Sequence, residues 1–260
     1  ADQFTCHLLW MGDAALLLPD AIAIAGVPDA LRLPEGSPVE QSDAWKQGLV
    51  EVQDAGSQLI ALACGVQPGM TVVDLCAGAG GKTLALAAAM GGKGALIAAD
   101  AIRSRLARLG PRAERAGATF IETLLLDQGH EAGALKSLAG QVDVVLVDAP
   151  CSGTGTWRRN PEARWRLTPA RLDRLVAEQA RILDFAAPLL APAGVLVYAT
   201  CALTEQEGRD QVDGFLTRHS GWVAEPLALP LGRAHGPGLL LTPGSDGTDG
   251  FFFARLRRMS

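Results

Sequence analysis

Apolar residues follow two different spacings along this chain from about residue 45 onward. Short continuous apolar runs are typical of strands buried on both faces of a sheet, and they predict strands at 71–76, 94–100, 118–127, 142–149, 194–201 and 251–258. Segments with apolar residues three or four positions apart predict helices at 52–64, 82–90, 102–116, 131–139 and 169–190. Thr204 and Glu207 predict a capping box that opens another helix, to about Arg218. This alternation predicts an α/β fold with a doubly wound, parallel sheet.

Residues 1–43 do not follow this alternation. They are apolar but interrupted by prolines, and they carry no chemistry that we recognise. We therefore predict a boundary after residue 43, with the α/β domain over 44–260. The N-terminal segment could be the remnant of a larger region.

Length and composition indicate one large domain. The chain has 260 residues, of which 48% are hydrophobic, enough for a sizeable core. Apolar stretches all fall short of the roughly 18 residues that a membrane span needs, and the N-terminus lacks the pattern of a signal peptide. The five cysteines match no paired CxxC spacing, so we expect free thiols, no metal site and a cytoplasmic location.

The charge of the chain is unevenly distributed. The net charge of the chain is −5, yet the segment from residue 101 to residue 181 contains twelve arginines and Lys136 but only nine acidic residues. A basic middle on an acidic protein is compatible with a local phosphate-binding face. Solvated helix faces of an arginine-rich protein explain the same distribution, and charge alone does not separate the two interpretations.

Two cysteines stand where apolar runs end. Cys151 follows the predicted strand at 142–149, and Cys201 closes the one at 194–201. In an open α/β sheet, ligands bind outside the carboxyl ends of the strands, so both thiols could reach one pocket. This arrangement favours covalent catalysis beside a bound cofactor.

A glycine-rich turn, DLCAGAGGKT at 74–83, joins the first strand of the domain to its helix. Small residues let backbone N–H groups approach a ligand closely. The turn does not match the dinucleotide-binding fingerprint GxGxxG, because its third glycine position is occupied by Thr83. It does not match a phosphate-binding loop either, because the first glycine position of that motif is occupied by Cys76. Asp100 ends the second strand, where a carboxylate can accept both ribose hydroxyls, so we expect a nucleoside cofactor.

Five motifs together resemble the RNA cytosine-5 methyltransferases that use S-adenosylmethionine, the family of bacterial 16S ribosomal RNA cytosine methylases and the NOL1/NOP2/Sun proteins. They are VQDAGSQ at 52–58, DLCAGAGGKT, DAPCSGTG at 148–155, YATCALTEQE at 198–207 and GTDGFFFARL at 247–256. The ribosomal RNA branch looks closest. Ala79 and Ala202 stand where the family often has proline and serine, and neither change removes a reacting group.

The resemblance implies a Rossmann-like class I methyltransferase domain over 44–260, with a mostly parallel seven-stranded sheet and helices on both faces. Residues 1–43 would then be what remains of an RNA-binding region. The residues it assigns to S-adenosylmethionine are Cys76, Ala77, Gly78, Ala79, Gly80, Gly81, Lys82, Asp100, Arg105, Asp127 and Asp148. Among these, Asp100 looks like the ribose ligand, Asp127 like the adenine-side contact, and Asp148 like a residue that borders both cofactor and target base. Asp54 and Ser57 are interpreted as opening the first helix, outside the site.

Methyl transfer to cytosine C5 explains why two cysteines are needed. Addition of a thiolate at C6 makes C5 nucleophilic, and the thiol must later be eliminated. Spacing leaves the nucleophile open, because Pro150-Cys151 has the Pro-Cys form of DNA cytosine methylases. The full motif set resembles the RNA enzymes and implies Cys201 as nucleophile, with Cys151 assisting release and Asp148 hydrogen-bonding the base.

The loop between residues 154 and 168 predicts an RNA contact. Arginine interleaved with tryptophan suits single-stranded RNA, through phosphate contacts and base stacking. The residues concerned are Arg158, Arg159, Arg164 and Arg166, with Trp157 and Trp165. The alternative is a loop that its tryptophans pack onto the domain.

The leading hypothesis is therefore a monomeric RNA cytosine-5 methyltransferase acting on an unpaired or flipped cytosine of ribosomal RNA. Transfer RNA as substrate, and a non-catalytic assembly factor of the same fold that binds RNA, are the alternatives. A nicotinamide-dependent dehydrogenase is disfavoured by Thr83 at the third glycine position.

Overall fold

Two sheets organise the fold. The structure is a computed structural model that describes residues 6–10, 17–127 and 129–259, and within them one sheet has nine strands and the other has four. The strands are β1 Cys6–Trp10, β2 Ile22–Ala23, β3 Ala30–Leu33, β4 Val50–Val52, β5 Thr71–Asp74, β6 Ala95–Asp100, β7 Ile121–Leu125, β8 Val142–Asp148, β9 Leu190–Thr200, β10 Trp222–Glu225, β11 Arg233–His235, β12 Gly238–Leu241 and β13 Phe251–Arg258.

Helices connect most of these strands. They are α1 Asp43–Lys46, α2 Ala55–Cys64, α3 Gly81–Met90, α4 Arg103–Leu106, α5 Leu109–Arg115, α6 Glu131–Ala134, α7 Pro169–Ala186, α8 Arg209–Arg218 and α9 Pro243–Asp246. In the part of the chain that the structure describes, no helix is long and apolar enough to cross a membrane.

The large sheet is mostly parallel, as expected. β7, β6, β5, β8 and β9 pair in that order, each parallel to its neighbour. β13 lies antiparallel to β9, and β10 and β12 both pair antiparallel with β13, so only β11 and β13 run against the rest. The expected number of seven strands is wrong. The hairpin of β11 and β12 pairs with the first half of β13, while β10 pairs with its second half, which makes nine.

The core lies on both faces of this sheet. Successive side chains of a strand point to opposite faces, so Val72 packs with Leu84 of α3 and Val73 packs with Leu183 of α7. Because helices cover both faces of the sheet, the buried strands are continuous apolar runs in the sequence. The prediction of helices on both faces is confirmed.

The small sheet has the order β2-β3-β1-β4 and is antiparallel throughout. Its last strand, β4, lies after residue 43, and its Glu51 is buried. The Glu51 carboxylate pairs with Arg115 and, at 2.9 Å, with Arg112, both on α5. This buried ion pair ties the small sheet to the large domain. The division of the chain at residue 43 stays a prediction.

Two local expectations were wrong, and three short strands were not predicted. The helix expected over 102–116 is split into α4 and α5, because Pro111 has no N–H to donate to Ala107 and would crowd its carbonyl. The capping box does not form: helix α8 begins at Arg209, and the Glu207 side chain is buried, where its carboxylate accepts a hydrogen bond from the Thr204 hydroxyl. Strands β10 to β12 of the large sheet were not anticipated, because each has only three or four residues.

Candidate active site

The carboxyl ends of β5, β6, β8 and β9 border one cavity of about 600 Å³. Parallel strands bring their carboxyl ends to the same edge of a sheet, which explains the meeting of residues distant in sequence. The residues predicted from sequence that line it are Cys76, Ala77, Gly78, Ala79, Gly81, Lys82, Asp100, Arg105, Asp148, Cys151 and Cys201. The prediction that both thiols share a pocket is confirmed.

The two thiols are in contact. Their Sγ atoms lie 3.3 Å apart, within hydrogen-bonding distance for sulfur. The hydrogen bond from Cys151 lowers the pKa of Cys201 below its usual value, against burial and the Asp148 charge, and the Lys82 ammonium acts in the same direction. That hydrogen bond and burial raise the pKa of Cys151 well above its usual value. These opposite directions make Cys201 the more acidic of the two thiols and so the one that ionises more readily.

The side chain of Lys82 reaches into the cavity. Its Nζ donates to Oδ2 of Asp148 at 2.7 Å, and it lies 5.5 Å from the centre of the Phe251 ring. Burial would lower the pKa of Lys82, but the charge of Asp148 and the hydrogen bond to it raise the pKa above its usual value. At neutral pH the Lys82 side chain is therefore a positively charged ammonium in the cavity that both thiols line.

The glycine turn is held against Asp100. The backbone N–H of Gly78 donates to one carboxylate oxygen of Asp100 at 2.8 Å, and that of Ile102 donates to the other at 2.7 Å. Gly80 was expected to contact the cofactor, but it lies outside the cavity lining. It has a φ of 85°, and a Cβ there would clash with Leu109, so glycine is required for the turn and its packing.

Asp127 also lies outside the cavity lining, contrary to its expected contact with the adenine side of the cofactor. It is exposed, whereas the preceding Leu126 is buried and lines the cavity. Neighbouring residues at the end of an extended segment point in opposite directions, so only one of the two can face inward.

Sequence reasoning missed a polar corner of the cavity. Gln53 and Ser57 line it, with a hydrogen bond of 3.2 Å between them, and buried Asp74 borders it. Burial raises the pKa of Asp74 to about 7, although Thr83 donates a hydrogen bond of 2.7 Å to its carboxylate. Gln53 Oε1 and Asp74 Oδ1 are buried without a hydrogen-bond donor. Two unpaired acceptors suit a ligand that carries an ammonium group.

The signal for this corner was in the VQDAGSQ motif, of which only the helix-opening role was interpreted. Asp54 does cap α2, accepting a hydrogen bond of 2.8 Å from the backbone N–H of Gly56. Ser57, which we had left outside the site with Asp54, lies in the cavity instead.

One face of α7 forms a further wall that sequence reasoning missed. Arg181 on this wall pairs with Glu178 and with Glu131 of α6, both at 2.8 Å, and all three residues line the cavity. The α7 residues that line the cavity are three or four positions apart, so they lie on one side of the helix, and this spacing could have been recognised in the sequence. The α7 residues lining the cavity are Arg171, Leu175, Glu178, Arg181, Ile182 and Phe185.

The four arginines expected to bind RNA divide into two pairs. Arg159 Nε donates to buried Asp249 at 2.8 Å, and Arg158 lies 4.0 Å from the same carboxylate. These two arginines anchor the loop to the segment before β13.

The second pair, Arg164 and Arg166, is exposed. The Arg164 guanidinium stacks over Trp165 at 4.8 Å, and 78% of Trp165 is exposed. Trp157 is half-buried, so the packing alternative describes only one of the two tryptophans.

The chain is similar in sequence to methyltransferases of ribosomal RNA. The sequence profile of a family described as "16S rRNA methyltransferase RsmB/F" matches residues 61–257. A "Probable ribosomal RNA small subunit methyltransferase B" from Synechocystis is 38% identical over 242 residues, which are 91% of this chain and 54% of that protein. A "Ribosomal RNA small subunit methyltransferase B" from Pectobacterium atrosepticum is 36% identical, over 88% of this chain and 51% of that protein. The chain spans about half the length of these curated relatives.

Solved structures share the fold. The crystal structure of PH0851 superposes with a TM-score of 0.91 at 29% identity, covering 99% of this chain and 60% of that one. A structure of NSun6 from Pyrococcus horikoshii with SFG has a TM-score of 0.76 at 26% identity, covering 85% of this chain and 56% of that one.

Proposed function

Because the chain belongs to the 16S rRNA methyltransferase RsmB/F family, we propose that it is an S-adenosylmethionine-dependent RNA cytosine-5 methyltransferase that acts on ribosomal RNA. The observation that carries this proposal is the pair of thiols, 3.3 Å apart, in the same cavity as the glycine turn and Asp100. A dehydrogenase needs no such thiol pair.

The residues of the cavity fit S-adenosylmethionine. The small residues Gly78, Ala79 and Gly81 allow close approach of a ligand to the backbone, and Asp100 has lone pairs left for ribose hydroxyls. The unpaired oxygens of Gln53 and Asp74 would accept hydrogen bonds from the ammonium group. When bound, the cofactor supplies the electrophilic methyl group that C5 of the cytosine takes.

The chain's own residues prepare the cytosine. The Cys201 thiolate adds to C6, which moves the electrons of the C5–C6 double bond towards C5 and the ring. Lys82 stabilises the thiolate, and Asp148 can accept a hydrogen bond from the exocyclic amine of the base. After methyl transfer, a water molecule takes the C5 proton, the C5–H electron pair re-forms the C5–C6 double bond, and the bond between the Cys201 sulfur and C6 breaks with its electrons leaving on the sulfur. The Cys151 S–H then donates a hydrogen bond to the departing thiolate, which assists release.

RNA would be held by the loop beside the cavity. Arg164, Arg166 and the exposed Trp165 offer phosphate contacts and a stacking surface, whereas Arg158 and Arg159 fix the loop through Asp249. For the domain organisation, we propose that residues 1–43 remain from an RNA-binding region and that 44–260 form the methyltransferase domain. The family match over 61–257 supports the second part.

A methyl-transfer assay tests the proposal. The purified chain is incubated with tritiated S-adenosylmethionine and either 16S ribosomal RNA or transfer RNA, and the product is mapped by bisulfite sequencing. We expect 5-methylcytosine in the ribosomal RNA. Cys201→Ala should abolish transfer, Cys151→Ala should trap a protein–RNA adduct, and Cys64→Ala, a buried core thiol outside the cavity lining, should do neither.

The other outcomes are informative. Transfer to transfer RNA alone would replace the ribosomal substrate. If the chain binds both RNA and cofactor but transfers no methyl group, the non-catalytic assembly factor is favoured. If Cys201→Ala is the variant that traps an adduct, Cys151 is the nucleophile and Cys201 assists release.

A further inference from the structure

A buried polar cluster surrounds Glu207, a residue that sequence reasoning had assigned to a helix cap. The Glu207 side chain is fully buried, and three groups donate to its carboxylate. The backbone N–H of Ser152 donates to Oε1 at 2.7 Å, and Gln179 Nε2 donates to the same oxygen at 3.1 Å. The Thr204 hydroxyl donates to Oε2 at 2.8 Å. Burial of a carboxylate is costly unless it is hydrogen-bonded, so this arrangement holds all the participating segments tightly.

The donors lie on both sides of one of the thiols. Ser152 follows Cys151 in the chain, and Gln179 Nε2 also donates to the carbonyl of Pro150, the preceding residue, at 2.9 Å. Gln179 belongs to α7 and is fully buried. The backbone on either side of Cys151 is therefore held by two interior side chains that contact each other.

The same residue also holds the segment that carries the other thiol. The backbone carbonyl of Glu207 accepts hydrogen bonds from the Tyr198 hydroxyl at 2.8 Å and the Thr200 hydroxyl at 3.4 Å. Both are buried residues of β9, the strand that leads directly into Cys201. Glu207 thus connects, through its side chain and its backbone, the two segments that bring the sulfur atoms together.

We propose that Glu207 is a positioning residue that, with Gln179, sets the contact between Cys151 and Cys201. This inference rests on the proposed function for its chemical meaning, because that contact favours the Cys201 thiolate and its release from the base. Glu207 itself touches neither thiol in the hydrogen-bond network and acts through the Cys151 loop. Its conservative replacement should therefore retain most of the effect, and truncation should not.

The first test needs neither RNA nor cofactor. The rate of Cys201 alkylation by iodoacetamide is followed by peptide mass spectrometry between pH 6 and 10 in the wild type, Glu207→Ala, Glu207→Gln and Glu205→Gln. Glu205 is the matched control, a neighbour that pairs with His235 at the surface. For Glu207→Ala we expect alkylation at pH 7 to fall about tenfold, with the midpoint moved to higher pH, because the thiolate loses one hydrogen bond.

Glu207→Gln should stay close to the wild type, since its amide oxygen can still accept from Ser152 and Gln179, and Glu205→Gln should be unchanged. Circular dichroism establishes that each variant is folded. If Glu207→Ala does not fold, Gln179→Ala carries the same test, because it removes the donor to Pro150. Unchanged or faster alkylation in the folded truncation variant would overturn the inference.

The second test uses the full reaction with ribosomal RNA and S-adenosylmethionine. Glu207→Ala should lower kcat about tenfold or more and accumulate the protein–RNA adduct, with KM for the cofactor unchanged. An equal fall in Glu207→Gln, or a fall that only follows the folded fraction, would contradict positioning. A wild type that transfers no methyl group while the alkylation shift persists would refute the proposed function alone.

Discussion

Asp74 should make the stability of this protein fall as the pH rises towards neutrality. The residue is 1% exposed, and its pKa rises from 3.8 to about 7 on folding, chiefly because burial disfavours the charged carboxylate. The folded state therefore binds more protons than the unfolded state between these two values. The stabilisation by protonated Asp74 is fully present below pH 3.8 and is lost as the pH rises through about 7. The substitution Asp74→Asn removes this dependence.

The size of the effect follows from the shift. Each pKa unit corresponds to about 1.4 kcal/mol, so the whole shift is worth about 4 kcal/mol. Between pH 5 and pH 8, where the protein is convenient to study, the corresponding change is about 2.5 kcal/mol. Asp74→Asn resembles the protonated state, so its advantage in stability over the wild type should grow by this amount across that interval.

Urea unfolding at pH 5, 6, 7 and 8 measures this difference directly. The comparison of wild type with Asp74→Asn cancels the titration of all other groups whose surroundings the substitution leaves unchanged. Asp143→Asn is the matched control, because Asp143 accepts a hydrogen bond of 2.8 Å from the backbone N–H of Thr71, at the other end of the same sheet region. A difference between wild type and Asp74→Asn that does not change with pH would refute the reasoning.

Two further predictions concern the RNA loop and the small sheet. Replacing Arg164 and Arg166 with glutamine should lower the salt slope of single-stranded RNA binding by about 1.4, and Trp165→Ala should weaken binding by about 1–3 kcal/mol. Fluorescence anisotropy at several salt concentrations measures both, and unchanged slope and affinity would contradict a role in binding. Glu51→Leu should destabilise the fold by about 3–5 kcal/mol in urea, because it leaves two arginines without their buried partner. A loss no larger than that of the exposed Glu35→Gln would contradict the ion pair's role in joining the sheets.

Sequence and structure agree most closely where a property depends on neighbours in the chain. The strand at 142–149 is recognisable from its continuous apolar run, and the glycine turn from its composition. Both thiols could be placed at one sheet edge because each ends a strand, and parallel strands present their ends together. The cavity confirms this placement.

Several of the disagreements involve partners from distant parts of the chain, whereas the helix break before Pro111 is local. Thr204 and Glu207 have the spacing of a capping box, but Glu207 is drawn into the interior by the Cys151 loop and by α7. Asp127 was expected to end a strand, but β7 ends at Leu125, and Leu126 takes the inward position. Arg159 stands among basic residues of a loop, but its partner is Asp249, ninety positions further on.

The chain's local pattern thus determined the α/β class, the strand ends and the residues able to do thiol chemistry, because hydrogen bonding and burial periodicity act over a few neighbouring residues. Only the tertiary structure decided which polar side chains turn inward, which charges pair, and which of the two thiols is the more acidic. Those outcomes depend on how elements far apart in sequence pack against one another. Packing removes polar side chains from water and brings charged groups close together, which changes their pKa values.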